Sequence, residues 1–306
     1  MPKFVLTMIP STELILTNVK AFFALDHLLL VYILPLGLAL EVIIVGFRKS
    51  SIFLAYSSPN NRRWDLLAIV MNVFFRSKDF IANIFYLGFY SFLAAKLGQI
   101  ESLQLFSDLD LVWRVILAVV FSDFLAYWVH RAFQRSSLLW NAHQWHHSST
   151  TITLFSDLRN HPLQRLFLKV CLWSPVHLVF GLDVTDAVLF SFLISMVNLL
   201  NHSRIDTSYS VIGKYLIVSP RYHHLHHEIQ DRMGYNFAEI FVFWDRIFGT
   251  YRAPDQSIEK IVPGLEVNNF ESSGIFIGFL QPVWNFYLDL YRGLKVVKPR
   301  WPAGIR

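Results

Sequence analysis

The chain alternates long apolar runs with short polar breaks, and a membrane-spanning helix needs about 20 mostly apolar residues. Leu28 to Val45 meets that need, with Pro35 as a candidate kink. Trp64 to Phe75 is shorter and predicts a re-entrant or interfacial helix, whereas Asp79 to Leu97 predicts a span. Leu111 to Val129 predicts another span despite Arg114 and Asp123. Leu163 to Leu182 and Ala187 to Leu200 predict a helical hairpin turned at Gly181 to Thr185. Gly274 to Leu294 is apolar with aromatics and predicts a helix lying on the membrane rather than crossing it. The pattern as a whole predicts an all-α integral membrane protein with about four to five transmembrane helices.

The polar breaks orient this arrangement. Basic loops stay on the cytoplasmic side. The stretch Phe47 to Arg63 carries Arg48, Lys49, Arg62 and Arg63 and reads as a cytoplasmic loop. Gln99 to Asp110 has no lysine or arginine and falls outside. The chain then returns at His130, and the hairpin begins and ends on one side. Arg131 to Pro162 and His202 to Arg306 therefore share the cytoplasmic face. The expected organisation is a membrane anchor over residues 1–109, a catalytic domain over 110–252 and an interfacial segment over 253–306.

Composition supports a bilayer as solvent. Hydrophobic residues make up 54% of the chain and charged residues 16%, which leaves too few polar side chains to cover a soluble surface of this size. The net charge of +5 fits basic loops against anionic lipid and, without a long lysine and arginine run, predicts no nucleic-acid partner. The single cysteine, Cys171, excludes an intrachain disulfide and a cysteine-only metal site. Met1 to Leu25 has one basic residue near its start and Glu13 ahead of the apolar run, which predicts a retained anchor rather than a cleaved signal.

Seven of the 12 histidines fall in two short stretches, Asn141-Ala-His143-Gln-Trp-His146-His147-Ser148 and Arg221-Tyr-His223-His224-Leu-His226-His227. Both contain His-x-x-His-His. On a helix, positions i, i+3 and i+4 share a face, so each box points three imidazoles into one space. Neutral imidazole suits iron, zinc, copper and nickel, and six nitrogens exceed what one tetrahedral zinc needs. That predicts two metals. His130 and His202 sit at the ends of apolar segments and are candidates to complete the ligand set, because ionisable groups at such depth are costly and usually functional. His224 points off the shared face and is left out. His27 and His177 read as packing residues. His161, before Pro162, reads as a ligand, a hydrogen-bond partner of a ligand, or a helix cap. Asp123, Tyr127 and His130 are spaced i, i+4, i+7, so Asp123 either orients a ligand, directly or through Tyr127, or packs as a buried polar residue.

These motifs resemble the membrane-bound fatty acid hydroxylase and sterol desaturase superfamily. The resemblance runs from Asp123-Phe-x-x-Tyr127-Trp128-x-His130-Arg131 through Leu139-Trp140-x-x-His143-x-x-His146-His147-Ser148 and Arg159-x-His161-Pro162-Leu163. It continues through Asn201-His202-Ser203 and Ser219-Pro220-Arg221-Tyr222-His223-x-x-His226-His227, and closes at Asn236-Phe237-Ala238 and Trp244-Asp245-Arg246-Ile247-Phe248-Gly249-Thr250. It covers roughly residues 110 to 252 in the family's order. The resemblance implies a cytoplasmic, histidine-rich helical cap holding two irons, with His130, His143, His146, His147, His202, His223, His226 and His227 as ligands. It also implies dioxygen as co-substrate, a membrane lipid (fatty acyl chain, sterol or ether lipid) as substrate, and hydroxylation or desaturation as the reaction.

Two departures stand out. The family's first box has a second histidine four or five positions after the first, where this chain reads His130-Arg-Ala-Phe-Gln134. Gln134 could ligate through its carbonyl or bond a metal-bound water. Phe237-Ala238 replaces a common Tyr-Gly, and Asn236 beside it is a further candidate ligand or partner of a ligand. No haem motif or ferredoxin-type cysteine pattern is present, so electrons are expected from a separate cytochrome b5-, ferredoxin- or reductase-type protein. The expected location is the inner membrane of a bacterium or the endoplasmic reticulum of a eukaryote. Two other readings stay open: a metal-binding membrane pseudoenzyme, which Gln134 favours, and a zinc-dependent lipid hydrolase using metal-activated water.

Overall fold

The computed structural model describes residues 32–73, 88, 105–106, 108–180, 182, 184–229, 234–268, 270 and 273–293. The described secondary structure is helical, and the strand pairing among these residues is limited to isolated bridges such as Ile217 with Phe241. The predicted span Asp79 to Leu97 lies outside the described residues apart from Gly88, and so does most of the linker before Leu111.

Helix α1 (Leu34–Val45) carries Pro35 in its first turn, directly after a π-helical stretch at Tyr32 and Ile33. Gly46, at φ 80°, ends it. The basic stretch after it is not a loop. It holds a 3₁₀ turn (Phe47–Lys49), α2 (Ser51–Ser57) and the start of α3 (Pro59–Val73). Glu41 explains the tight turn. Its buried carboxylate accepts from the backbone N–H and hydroxyl of Ser51, at 2.5 and 3.0 Å, and from the N–H of Arg204 at 2.6 Å.

The predicted span Leu111 to Val129 is longer in the structure. Helix α4 (Leu111–Arg135) continues for six residues past Val129, so His130 lies inside it and shares it with Gln134. Among the described residues it is the one helix long and apolar enough to cross a membrane. Ser136 caps the next helix, α5 (Ser137–His143), and a 3₁₀ turn (His146–Ser148) follows. The predicted hairpin arm begins with His161 as N-cap of α6 (Pro162–Leu168). It continues through a π segment (Lys169–Trp173) into α7 (Ser174–Phe180). Helix α8 (Val184–Asn201) returns. Helix α9 (Ser210–Tyr215), α10 (Pro220–His226) and α11 (Phe243–Ile247) build the C-terminal half of the motif region.

Helix α12 (Ile275–Tyr291) packs on α5. Asn141 donates to Asp289 at 2.9 Å, and Gly278 lets the helix approach the Trp64 ring, where a Cβ would stand 2.7 Å from the indole. Trp64, Trp145, Leu154, Leu158 and Leu199 form one apolar core beneath the first histidine box. Tyr127, Val218, Tyr222, Phe237 and Val242 form another beside the second. Arg159 is fully buried. Its guanidinium donates to Asp65 at 2.7 Å, to Ser148 at 3.2 Å and to the Asn61 carbonyl at 3.1 Å, which ties the histidine turn to α3.

Candidate metal centre

Four helices and one 3₁₀ turn bring eight imidazoles together. His130 comes from α4 and His143 from the end of α5. His146 and His147 come from the 3₁₀ turn that follows. His202 sits just after α8. His223 and His226 lie on α10, and His227 caps it. All eight are buried. They divide into two groups of four: His130, His143, His147 and His226, and then His146, His202, His223 and His227. Within each group the candidate ligand atoms lie within 4.8 Å of one another.

The division cuts across the boxes. Each box gives its i and i+4 rings to one group and its i+3 ring to the other. The cause is helical geometry: at about 100° per residue, positions i and i+4 differ by about 40°, whereas i+3 and i+4 differ by about 100°. The first box is not a single α-helix either, since Gln144 and Trp145 form a turn between α5 and the 3₁₀ segment.

The ring nitrogens face each other closely. His147 Nε2 stands 3.0 Å from His143 Nε2. His223 Nε2 stands 3.1 Å from both His202 Nε2 and His227 Nε2, and His202 Nε2 is 3.4 Å from His146 Nε2. Hydrogen bonds alone cannot satisfy this set. The Nδ1 of His130, His226 and His202 each meets a backbone carbonyl, that of Phe237 at 2.9 Å, Tyr235 at 3.0 Å and Asn198 at 2.8 Å. A carbonyl only accepts, so these Nδ1 atoms carry the proton and their Nε2 atoms carry lone pairs. His223 Nε2 cannot donate to one neighbour and accept from the other, because a protonated Nε2 has no lone pair. A central cation takes every lone pair at once. Ligands at about 2.1 Å in a tetrahedron lie about 3.4 Å apart, close to the spacings seen. Burial, and then the neighbouring rings, hold His146, His147, His223 and His227 well below the ordinary imidazole pKa, so these rings are neutral donors at pH 7. The donor set therefore fits two late first-row ions.

The four further candidates fall in different places. Gln134 lies at the first group, with its amide Nε2 2.8 Å from His226 Nε2, 3.0 Å from His147 Nε2 and 3.5 Å from His130 Nε2. His161 lies outside both groups. Its Nδ1 accepts from the Leu163 N–H at 3.2 Å and its Nε2 meets the Phe279 carbonyl at 3.2 Å, so it acts as the cap of α6. Asp123 touches no histidine and does not bond Tyr127. It accepts from the N–H groups of Ile240 and Phe241 at 2.9 and 2.8 Å and from the Trp244 indole at 3.1 Å. Asn236 also touches no histidine. It sits at φ 59°, a left-handed position that asparagine tolerates, and its side chain pairs with the backbone of Arg252 at 2.7 and 3.1 Å. That turn places the Tyr235 and Phe237 carbonyls on either side, each against one ring of the first group. His224, left out by the sequence, turns away to the Ser203 carbonyl at 3.0 Å.

Sequence reasoning missed two carboxylates here. Asp245 accepts from the N–H groups of Phe237 and Ala238 at 2.9 and 2.7 Å, from the Thr250 hydroxyl at 2.6 Å and from the Tyr222 hydroxyl. Burial raises its pKa against those bonds. Together Asp245 and Asp123 accept four N–H groups of the 237–241 segment, and so fix the carbonyl that holds His130. Asp157 stands 3.6 Å from His202 Nδ1. The Trp-Asp pair at 244–245 was visible in the sequence, but only its role in a motif, not its partners.

Comparison with known proteins covers the same region of the chain. A fatty acid hydroxylase family model matches residues 115–250, which contain every histidine of both groups. The chain is 29% identical to alkylglycerol monooxygenase of Homo sapiens over 199 residues, 61% of this chain and 41% of that protein. It is 27% identical to sphinganine C4-monooxygenase 1 of Arabidopsis thaliana over 165 residues, 53% of this chain and 62% of that protein. It is 27% identical to the ornithine lipid hydroxylase OlsE of Rhizobium tropici over 146 residues, 47% of this chain and 43% of that protein. The chain thus spans about two fifths of the length of the alkylglycerol monooxygenases it matches. No solved structure matches it. With the histidine boxes in the family's order and the family model over the whole metal centre, residues 115–250 form a fatty acid hydroxylase domain.

Proposed function

We propose that this protein is a membrane-embedded lipid hydroxylase that oxidises a C–H bond with dioxygen at a di-iron centre. The observation that carries the reading is the pair of four-imidazole groups, which share buried walls and belong to a family with lipid monooxygenases among its members. His130, His143, His147 and His226 would hold one iron, and His146, His202, His223 and His227 the other. Bound iron supplies the oxygen activation that no side chain can perform. The chain's own residues hold the rings neutral and fix three of them through backbone carbonyls. They also keep water from the centre by burying all eight imidazoles. The named substrates of the relatives, alkylglycerol, sphinganine and ornithine lipid, are all long-chain lipids, so a long-chain membrane lipid is the substrate class.

Large apolar side chains left exposed on α1, α4, α8 and α12 support a bilayer around the fold. Ile43 is 78% exposed, Trp113 60% and Phe276 76%, a pattern that water does not favour. Several spans, a cytoplasmic active site and a separate electron donor complete the proposal. The boundaries are an anchor over 1–109, a catalytic domain over 110–252 and an interfacial segment over 253–306.

The test compares membranes holding the intact protein with membranes holding His146→Ala, supplied with iron, reductant and labelled dioxygen. The expected result is a lipid that gains label from dioxygen only with the intact protein. Label arriving from water instead, or turnover without oxygen, would overturn the reading in favour of metal-activated hydrolysis.

A further inference from the structure

We propose that Gln134 is an oxygen ligand of the first iron, so that the two ions are held by unequal donor sets. The first would have four imidazoles and one amide carbonyl, and the second four imidazoles alone. The proposal rests on the di-iron reading and deepens it.

Gln134 lies one helical turn after His130 on α4 and is fully buried. The end of its side chain stands among three imidazoles of one group, at 2.8 to 3.5 Å from the Nε2 atoms of His226, His147 and His130. Those separations are hydrogen-bond distances and are also short enough for ligands of one ion. In the second group, neighbouring Nε2 atoms stand 3.1 to 3.4 Å from one another.

The amide's two ends decide its role. The NH₂ faces the rings, and the carbonyl oxygen is buried with no donor within reach. Two of the three facing nitrogens, those of His130 and His226, carry lone pairs, because their Nδ1 protons are committed to Phe237 and Tyr235. Without a cation, the NH₂ donates to those lone pairs. With a cation among them, the lone pairs are taken and the amide hydrogens face a positive charge. A half-turn about the last side-chain bond exchanges the two ends in the same space. It puts the orphaned oxygen where Nε2 stands and moves the hydrogens away from the ion. A carbonyl oxygen is a harder donor than imidazole, so the first ion's environment differs in kind from the second's.

The experiment uses the full-length protein, purified in detergent and loaded anaerobically with ferrous ⁵⁷Fe. Bound iron is counted by mass spectrometry and its environment read by Mössbauer spectroscopy. The wild-type protein is expected to bind two ions per chain and to give two ferrous doublets of equal area and unequal splitting. Gln134→Leu keeps the volume and removes the donor. It is expected to weaken one of the two ions by about 10- to 100-fold and to leave the other doublet unchanged, which also shows that the chain is folded. Gln134→Glu keeps an oxygen at the same reach and is expected to retain both ions. Wild-type affinities and doublets in Gln134→Leu would overturn the proposal. Loss of iron from both variants alike would also overturn it, by making Gln134 a packing residue. A wild-type protein that binds fewer than two ions would instead overturn the di-iron reading on which the proposal stands.

Discussion

His130 Nδ1 lies 2.9 Å from the carbonyl oxygen of Phe237, 107 residues away in the chain. The bond fixes the ring's tautomer and turns its other nitrogen towards the first histidine group. It depends on a carboxylate that touches neither atom. Asp245 accepts the N–H groups of Phe237 and Ala238 and so sets the course of the backbone that presents the carbonyl.

Replacing Asp245 by asparagine should therefore damage both stability and metal binding. The new amide would point hydrogens at backbone N–H groups or at the Thr250 and Tyr222 hydroxyls, which now donate to it. An unsatisfied buried group costs about 1–3 kcal/mol, so the thermal midpoint should fall measurably. Iron content after purification should fall as well, whereas a change to an exposed acid such as Asp255→Asn should alter neither.

Asn236 offers a separable test of the backbone. An L-residue with an ordinary side chain in the left-handed region costs about 1–2 kcal/mol, and glycine costs far less there. Asn236→Ala should lose both the favourable turn and the pairing to Arg252. Asn236→Gly should keep the turn and lose only the pairing. Unfolding in denaturant should rank wild type above Gly and Gly above Ala. An equal loss in both variants would show that the turn itself contributes little.

Variants of the ligands should sort by group and not by box. His143→Ala and His226→Ala come from different boxes but remove rings from the same group. Both should leave about one strongly bound iron, with the same Mössbauer doublet. His146→Ala and His223→Ala should leave the other doublet. If His143→Ala matched His146→Ala instead, the boxes would each serve one ion and the division would be wrong.

Glu239 predicts a pH effect. Burial, and then the nearby Asp123 and Asp157 carboxylates, push its pKa up to about 8 from an ordinary 4.5. The folded protein thus holds this proton more tightly than the unfolded chain. The resulting stabilisation is complete below about pH 4.5 and is lost as pH rises through about 8. Glu239→Gln removes the ionisation. It should raise the unfolding free energy at pH 9 by on the order of a few kcal/mol, and change it little near pH 4. A gain that did not grow with pH would refute the assignment.

Much of the centre was legible in the sequence, and the reasons are physical. Histidine is rare in apolar segments, so two His-x-x-His-His boxes and the flanking His130 and His202 stand out from their surroundings. All eight reach the two groups. The division between groups was in principle readable from the angular offset of i+3 and i+4, but reading the box as one face concealed it. The supporting contacts were not legible. Glu41 with Arg204, Asp65 with Arg159, and Asp123 with Ile240 and Phe241 join residues 94 to 163 positions apart, and nothing local marks one as the partner of another. Asp123 shows the limit well. Its helical spacing correctly put it on the face of Tyr127 and His130, but its partners are backbone groups of a segment whose path only the tertiary fold defines.

The sharing of each box between two groups has a further consequence for how the protein comes to exist. Neither pocket is present until residues near 143–147 and residues near 223–227 have met, so no half-built domain can capture a lasting ion. Ion capture and domain closure then form a single event, and the free energy of one is the free energy of the other. A chain without its ions would lack that contribution to its stability.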